Sequence, residues 1–430
     1  MSLIFGVRGP NNGEESGIYS LDNENIEKLA TSIFKFITPD CKFTEQRYNH
    51  FPKFIYQNDN GLFTFYDKTI QTLTVDNGNI TYDKSSPSKD LTDLVNDLPD
   101  EFESRTKPIK KSKPESLMVD MISNSNGEDL YISFYIANKL KFKINEGFLL
   151  YSKSGNIEDL TILFPKKLTP TGKIFISEDV QESKNIFHMV SKNKLLNFSH
   201  ENNFKEIRHR NKEMPGNILT ADHNKDFTVC TDNLLNYLII DKNNRTKKYY
   251  SSDVDENIFF IDGSEKYLED VATSVKIVKH KNQNYLIFGM NRGILKIYKL
   301  NSGNNRDPEV EFYNRIYFLS QKSVIMQQGK DNYIHNMSYD EDTLNFTLRD
   351  LYLSFGIDTI LSKDLSGKTE EVCLAQDKLE EERRKVKDKE GWKEYKNKEF
   401  IFFRWFQREC GVKKIHLLPH RISAIYQGRG

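Results

Sequence analysis

The stretch YLIFGMNRGILKIY, residues 285–298, decides how the chain is read. An apolar run meets a short turn ending in Gly293, and an alternating apolar run follows it. Alternation of this kind is the signature of a strand, because successive side chains point to opposite faces. A second stretch, FIYQNDNGLFTFY at 54–66, has the same plan. Laid on 286–298 without a gap, it sets Gly61 on Gly293, Ile55 on Ile287 and Tyr66 on Tyr298. A hairpin that returns 232 residues later raises the expectation of a repeat.

Five further candidates lie along the chain. LIFGVRG (3–9) pairs with GIYSLD (17–22), and the hairpin at 54–66 continues through TIQTLTV (69–75) and DNGN into ITYD. The others are 129–144 with 148–164, then 185–199, 226–241 and 332–348. Their central turns fall near residues 12, 58, 138, 191, 232, 291 and 339. Five of the six intervals run from 41 to 59 residues, and the sixth, of 80, contains an evident insertion at 84–116. A four-stranded propeller blade occupies about 40–50 residues. A lone sheet with two apolar faces cannot bury both, whereas a ring of sheets hides each face on its neighbour.

In spacing and strand pattern, residues 1–355 resemble a divergent WD40-type β-propeller. The expected fold class is therefore all-β, with about seven blades, six or eight remaining open. The family's Trp-Asp and Gly-His pairs are absent: Trp392 and Trp405 both lie beyond the hairpins, and neither precedes Asp. A pair of β-sandwich or barrel domains is the rival reading, since alternating strands suit either.

Two segments break the pattern. The insertion 84–116 is rich in Pro, Ser and charge and reads as a flexible loop leaving the ring. Within it Leu91, Leu94, Val95 and Leu98 fall at helical spacing, with Ser88 as a cap and Pro99 as a stop. This short amphipathic helix is a candidate protein-binding element, and KPIKKSK (107–113) resembles a basic nuclear-import signal. The second segment is a helical extension, 356–412. Residues 368–390 read as one helix with a narrow stripe of Val372, Ala375, Leu379 and Val386. Residues 398–410 read as another, apolar nearly all round, with Gly411 placed to stop it. Its Phe402, Phe403, Arg404, Trp405 and Phe406 are residue types that dominate interfaces, so this helix docks either on a partner or on the chain's own ring. A terminal strand and tail, 413–430, is expected to pair with the blade holding 3–9 and so close the ring, with Pro419 confining it to an edge or bend.

Lys and Arg together number 62, as do Asp and Glu, so global charge excludes no class of partner. Locally the balance differs. From Arg383 onward fourteen basic residues face five acidic ones, a net +9. Arg383, Arg384, Lys385, Lys387, Lys393, Lys396, Arg408, Lys413 and Lys414 are the candidate nucleic-acid-binding set, with Trp392 and Tyr395 as aromatics able to stack on bases. The alternative is a solvated helical face whose charges pair among themselves.

No phosphate-cradling glycine loop, nucleophile elbow or metal-binding histidine motif is present, and the nine histidines are scattered. Asp340, Glu341 and Asp342 bunch together but lack calcium-loop spacing and read as a hairpin tip. No catalytic residue, metal or cofactor is therefore expected. The start carries no secretion leader, no run is long enough to span a membrane, and Cys41, Cys230, Cys373 and Cys410 are far apart. These features point to a reducing compartment, nucleus or nucleus and cytoplasm, with Asn244-Arg-Thr a chance triplet. The expectation is a non-enzymatic scaffold subunit of a multiprotein complex acting on DNA or RNA, with other protein subunits as partners and no membrane. Direct nucleic-acid binding is the alternative, and a propeller enzyme with a channel site a more distant one.

Overall fold

The structure is a computed structural model. It describes residues 3–7, 17–21, 34–36, 55–58, 61–66, 69–76, 79–82, 86, 88–91, 116–123, 129–138, 143–162, 170–179, 184–199, 205–234, 236–249, 259–261, 264–266, 271–301, 307–320, 332–340, 342–418 and 422–425. Within these, seven antiparallel sheets of four strands or more follow one another along the chain. Blade two begins with Ile55–Asn58, blade three with Ser116–Ser123 and blade four with Pro170–Asp179. Blades five, six and seven begin with Ile218–His223, Ala272–His280 and Ile334–Asp340. From blade two to blade seven each first strand lies beside the first strand of the next blade, which sets these strands on the inner side. A two-stranded ribbon, Phe259–Ile261 with Ser264–Lys266, stands between blades five and six.

The two ends of the chain join the ring twice. Blade seven takes Ile334–Asp340, Thr343–Leu348 and Leu351–Gly356, and its outer strand is Val412–Leu417. Blade one has Leu3–Val7, Gly17–Leu21 and Phe34–Phe36 in sequence, and its remaining edge is Ile422–Ile425. The expected single closing strand is thus two strands, and only the second pairs with Leu3–Val7. Pro419 falls between them, outside the described residues.

The core has the radial arrangement of a propeller. Each apolar cluster draws on two neighbouring blades. Phe227, Val229 and Ile239 of blade five pack with Val275, Leu286 and Phe288 of blade six. Cys230, Leu238 and Ile240, the alternate residues of those same blade-five strands, pack back on Phe175, Val190 and Leu195 of blade four. Leu286 and Phe288 face blade five, while Ile287 between them faces Phe346 and Phe355 of blade seven. Both faces of the blade-five and blade-six sheets are therefore buried, by period-two alternation, as stacked blades require and two separate sandwiches do not allow. Full burial of such a side chain stabilises by roughly 1.5–3 kcal/mol. The contact is close at Gly289 of the opening stretch, where a Cβ would sit 2.6 Å from Ile334 Cγ2.

Polar links staple the same joints. Lys276 Nζ donates to Asp222 at 2.9 Å and the Ile277 amide donates to its other oxygen at 2.8 Å, tying blade six to blade five. The hydroxyls of Thr273 and Ser274 both donate to the Ile334 carbonyl, at 2.7 and 2.9 Å. First strands also slip register against their neighbours. An extra residue stands at Leu219 in blade five and Thr273 in blade six, with comparable shifts in blades one, four and seven. Such bulges bend and twist a strand.

Three expectations need correction. The hairpins at 54–66 and 285–298 are not equivalent: Gly61 turns the first strand of its blade into the second, and Gly293 turns the second into the third. Their backbones differ too, with φ of 149° and 67°. The insertion does not simply leave the ring, because Ser88–Asp90 pairs with Thr69–Gln71 of blade two. Ser88 is thus a strand residue and not a helix cap. Leu91 is fully buried; Leu94, Val95 and Leu98 lie outside the described residues. Asp342 sits in the turn between the first two strands of blade seven, as a hairpin-tip reading requires.

Candidate functional site

Between the third and fourth strands of blade seven the chain makes a helical excursion: α1 (Ile357–Leu361), α2 (Asp364–Lys385) and α3 (Lys389–Cys410). The long helices do not divide where the sequence suggested. The helix expected over 368–390 stops at Lys385, and α3 starts at Lys389 rather than 398. Asp388 makes the break: its side chain caps α3 by accepting the Gly391 amide at 2.7 Å. Val386, read as part of the stripe, lies in the connection. Gly411 ends α3 with φ 63°, the left-handed conformation glycine adopts readily.

One face of α2 anchors the excursion. Leu365, Thr369, Val372 and Cys373 are buried, while Ala375 and Leu379 are only half-buried. The helix rides along the outer strand of blade six, Glu309–Tyr317. Ser366 Oγ lies 2.7 Å from the Arg315 carbonyl, Cys373 Sγ 3.4 Å from that of Tyr317, and Ser320 Oγ donates to Asp377 at 2.5 Å. Arg349 of blade seven pairs with Glu380 at 2.8 Å, both largely shielded from solvent. α3 then covers blade seven. Phe406 and Cys410 enter the six–seven core, with Phe400, Phe402, Phe403 and Trp405 partly buried against it.

The aromatic candidates therefore dock on the chain's own ring, and Phe406 is sealed from any partner. Arg404 is exposed, with its guanidinium 5.4 Å from the Phe400 ring centre. Two apolar side chains the sequence did not single out stay in solvent, Leu374 at 63% exposed and Ile401 at 65%, and Trp392, a stacking candidate, is 42% exposed. Tyr395 is no stacking platform. It is buried, donates to Glu399 at 3.2 Å, and has its phenol pushed well above its usual range by burial and then by that carboxylate.

The basic candidates separate into two groups. Arg383, Arg384, Lys385, Lys387 and Lys393 are exposed around the α2–α3 connection. Arg408, Lys413 and Lys414 lie at the other end of α3, roughly 28 Å away along the helix axis. Several charges are already matched. Lys396 pairs with Glu399 and Arg408 with Glu409, while Lys398 bridges Glu382 and Glu394 at 3.0 and 3.2 Å. Lys413 donates to Thr343 Oγ1 at 2.8 Å. In space the sequence's continuous basic tail divides into an exposed stretch at the tip, shared with Asp388, Glu390 and Glu394, and a second basic group at the base.

Cys230, Cys373 and Cys410 are buried, and burial pushes the thiols of Cys373 and Cys410 up to about 12, which keeps them protonated. Among the described residues no group of three His, Cys, Asp or Glu is placed to hold a metal ion, and no helix is long and apolar enough to cross a membrane.

Seven radially stacked sheets of four or five strands, with a terminal strand completing the first blade, define the chain as a β-propeller. No family model and no curated protein matches its sequence. Among solved structures it is similar to the Pseudomonas aeruginosa periplasmic gluconolactonase PpgL, with TM-score 0.47 and 9% identity over 83% of this chain and 91% of that one. It is also similar to Saccharomyces cerevisiae Sqt1, with TM-score 0.42 and 10% identity over 83% of each. A computationally designed protein, Ika8, gives TM-score 0.40 and 10% identity over 84% of this chain and 85% of that one. These are likenesses of shape, and the assignment rests on the strand topology.

Proposed function

We propose that the chain is a non-catalytic scaffold subunit of an intracellular, nuclear multiprotein assembly that acts on DNA or RNA, and that α2 and α3 present its main contact surface. One observation carries the reading: the hairpin is fixed by its base to blades six and seven, yet leaves Leu374 and Ile401 in solvent along its length and Trp392 in solvent at its basic tip. Large exposed apolar side chains on a firmly anchored element favour a protein partner. The cations at the tip favour a polyanion within the same assembly.

Co-purification of the intact protein with and without Ile401→Asp tests the protein contact. Partners recovered with the native chain and lost with the variant support it. Identical recovery from both removes the hairpin from the proposal. The second reading, direct nucleic-acid binding, draws on the tip alone. It requires a salt-dependent affinity of the purified chain for single-stranded RNA or duplex DNA, lowered by Arg383→Glu with Arg384→Glu. Absence of binding at low salt eliminates it and leaves the scaffold reading intact.

A further inference from the structure

The two helices of the α2–α3 hairpin differ in charge along the face they turn to solvent. Between Asp364 and Glu382, α2 exposes five acidic residues and two basic ones. α3 carries six basic residues and four acidic ones. Each helix has 22 residues and one exposed aliphatic side chain near its middle, Leu374 on α2 and Ile401 on α3.

Helix geometry turns these groups the same way. Leu374 follows the buried Leu365 by nine residues, or two and a half turns, so it points away from the ring. Arg404 stands in the same relation to the buried Tyr395. Ile401 lies between Arg404 and Lys398, and Lys398 reaches across to Glu382 of α2 at 3.0 Å, so Ile401 leans toward α2. The charges beside the two aliphatic groups are available. Glu370 and Glu371, one turn from Leu374, are exposed and make no hydrogen bond or ion pair among the described residues. Arg404, one turn from Ile401, is exposed, lies over the Phe400 ring and makes no ion pair among the described residues.

We propose that this face pairs two copies of the chain in a two-fold symmetric four-helix contact. The proposal rests on the reading of α2 and α3 as the contact surface and names its occupant. The face is its own complement: a two-fold axis parallel to the helices lays α2 of each copy on α3 of the other. Leu374 then meets the apolar patch of Ile401 and the half-buried Trp405, and Glu370 and Glu371 come within reach of Arg404. The two rings stand on opposite sides of the contact, because each hairpin lies flat on its own ring. A face two helices wide and about 33 Å long has an area of about 660 Å². Two such faces joined bury about 1,300 Å², which is within the range of specific interfaces.

The test is the mass of the purified full chain by light scattering, over concentrations of about 1–100 µM. We expect the mass to rise toward twice that of one chain. Ile401→Asp should weaken the association at least about tenfold. Glu370→Arg with Glu371→Arg should do the same, and so should Arg404→Glu, all at unchanged Tm. Mixing those two charge variants should restore a dimer, because both seams of the mixed pair then carry opposite charges. A chain that stays monomeric throughout overturns the proposal, and so does a dimer that all three variants leave intact. A monomer that still loses co-purifying proteins on Ile401→Asp assigns the face to a different protein, which overturns the self-pairing and keeps the scaffold reading. A monomer whose recovered proteins are unchanged by Ile401→Asp overturns both.

Discussion

The two ends of the α2–α3 hairpin use the same helices in opposite ways. At the base, Leu365, Val372, Phe406 and Cys410 are buried in a core shared with blades six and seven. At the tip, Arg383 to Lys385 and Lys387 to Glu390 are all exposed. Hydrophobic burial fixes the base, and no comparable burial holds the tip. A helix can therefore be part of the fold at one end and a solvated surface at the other. Substitutions at the base should report on stability, and substitutions at the tip on binding.

The largest effect expected is from truncation at residue 355. It removes the outer strand of blade seven, the edge strand of blade one and the α3 aromatics together. Two blades are left incomplete, with unpaired strand edges and exposed apolar faces. The truncated chain should be insoluble or lack a cooperative unfolding transition, measured by soluble yield and circular dichroism. A soluble, monomeric, cooperatively melting fragment would show that the base is ornamental and would dissolve the contrast.

Next comes a pair of point variants on one helix. Phe406→Ala opens a cavity in the six–seven core and should cost about 3–5 kcal/mol by denaturant unfolding. Ile401→Ala, five residues away but 65% exposed, should stay within about 0.5 kcal/mol of the native chain. Equal destabilisation by both would mean that α3 does not divide into a buried and an exposed face.

How much of this contrast was legible in the sequence depends on which force set each feature. Alternating apolar residues announced strands, and their spacing announced blades, because burial on both faces writes a period of two into the chain. Gly411 announced the end of α3, since a left-handed cap favours glycine. Gly61 and Gly293 misled because both close hairpins, and a local turn does not record which strand of a blade it follows. Only packing on the next blade fixes that phase. The break at 386–388 was invisible for another reason. No proline marks it, and Asp388 reads as one more charge in a charged run until its carboxylate is seen to cap α3. Tyr395 looked like a free aromatic because sequence cannot show that Glu399, one turn on, sits under its hydroxyl.

Acid provides a contrast between interior and surface of a different kind. His188 is pushed down to about 3 by burial and the charge of His223, and His416 to about 4 by burial and the charge of Lys414. Both are neutral in the folded chain and protonate near pH 6.5 when unfolded. The unfolded state therefore binds more protons below pH 6.5, and stability present above that pH is lost as pH falls toward 4 and then 3. The loss traceable to His188 should be of the order of 5 kcal/mol once pH falls below 3, about 3 of it between pH 6.5 and 4. His188→Phe, which preserves a ring against Phe175, should flatten the stability profile between pH 6.5 and 4. An unchanged slope in that variant would place the acid sensitivity elsewhere.

The smallest effect on stability, and the sharpest on the comparison, belongs to the tip. Arg383→Ala, Arg384→Ala and Lys385→Ala together remove three exposed cations from the last turn of α2. Each contributes to capping that helix end through the helix dipole, by a few tenths of a kcal/mol at most when solvated. The triple variant should therefore melt within a few degrees of the native chain while giving up most of any salt-dependent attraction for a polyanion. Log affinity should fall less steeply with log salt, by about one unit of slope for each phosphate that the variant no longer neutralises. If the variant is instead strongly destabilised, the tip is held by packing as the base is, and the division of the hairpin into anchor and probe fails. If it is stable and its salt slope unchanged, the cations at the base, Lys413 and Lys414, carry the attraction instead.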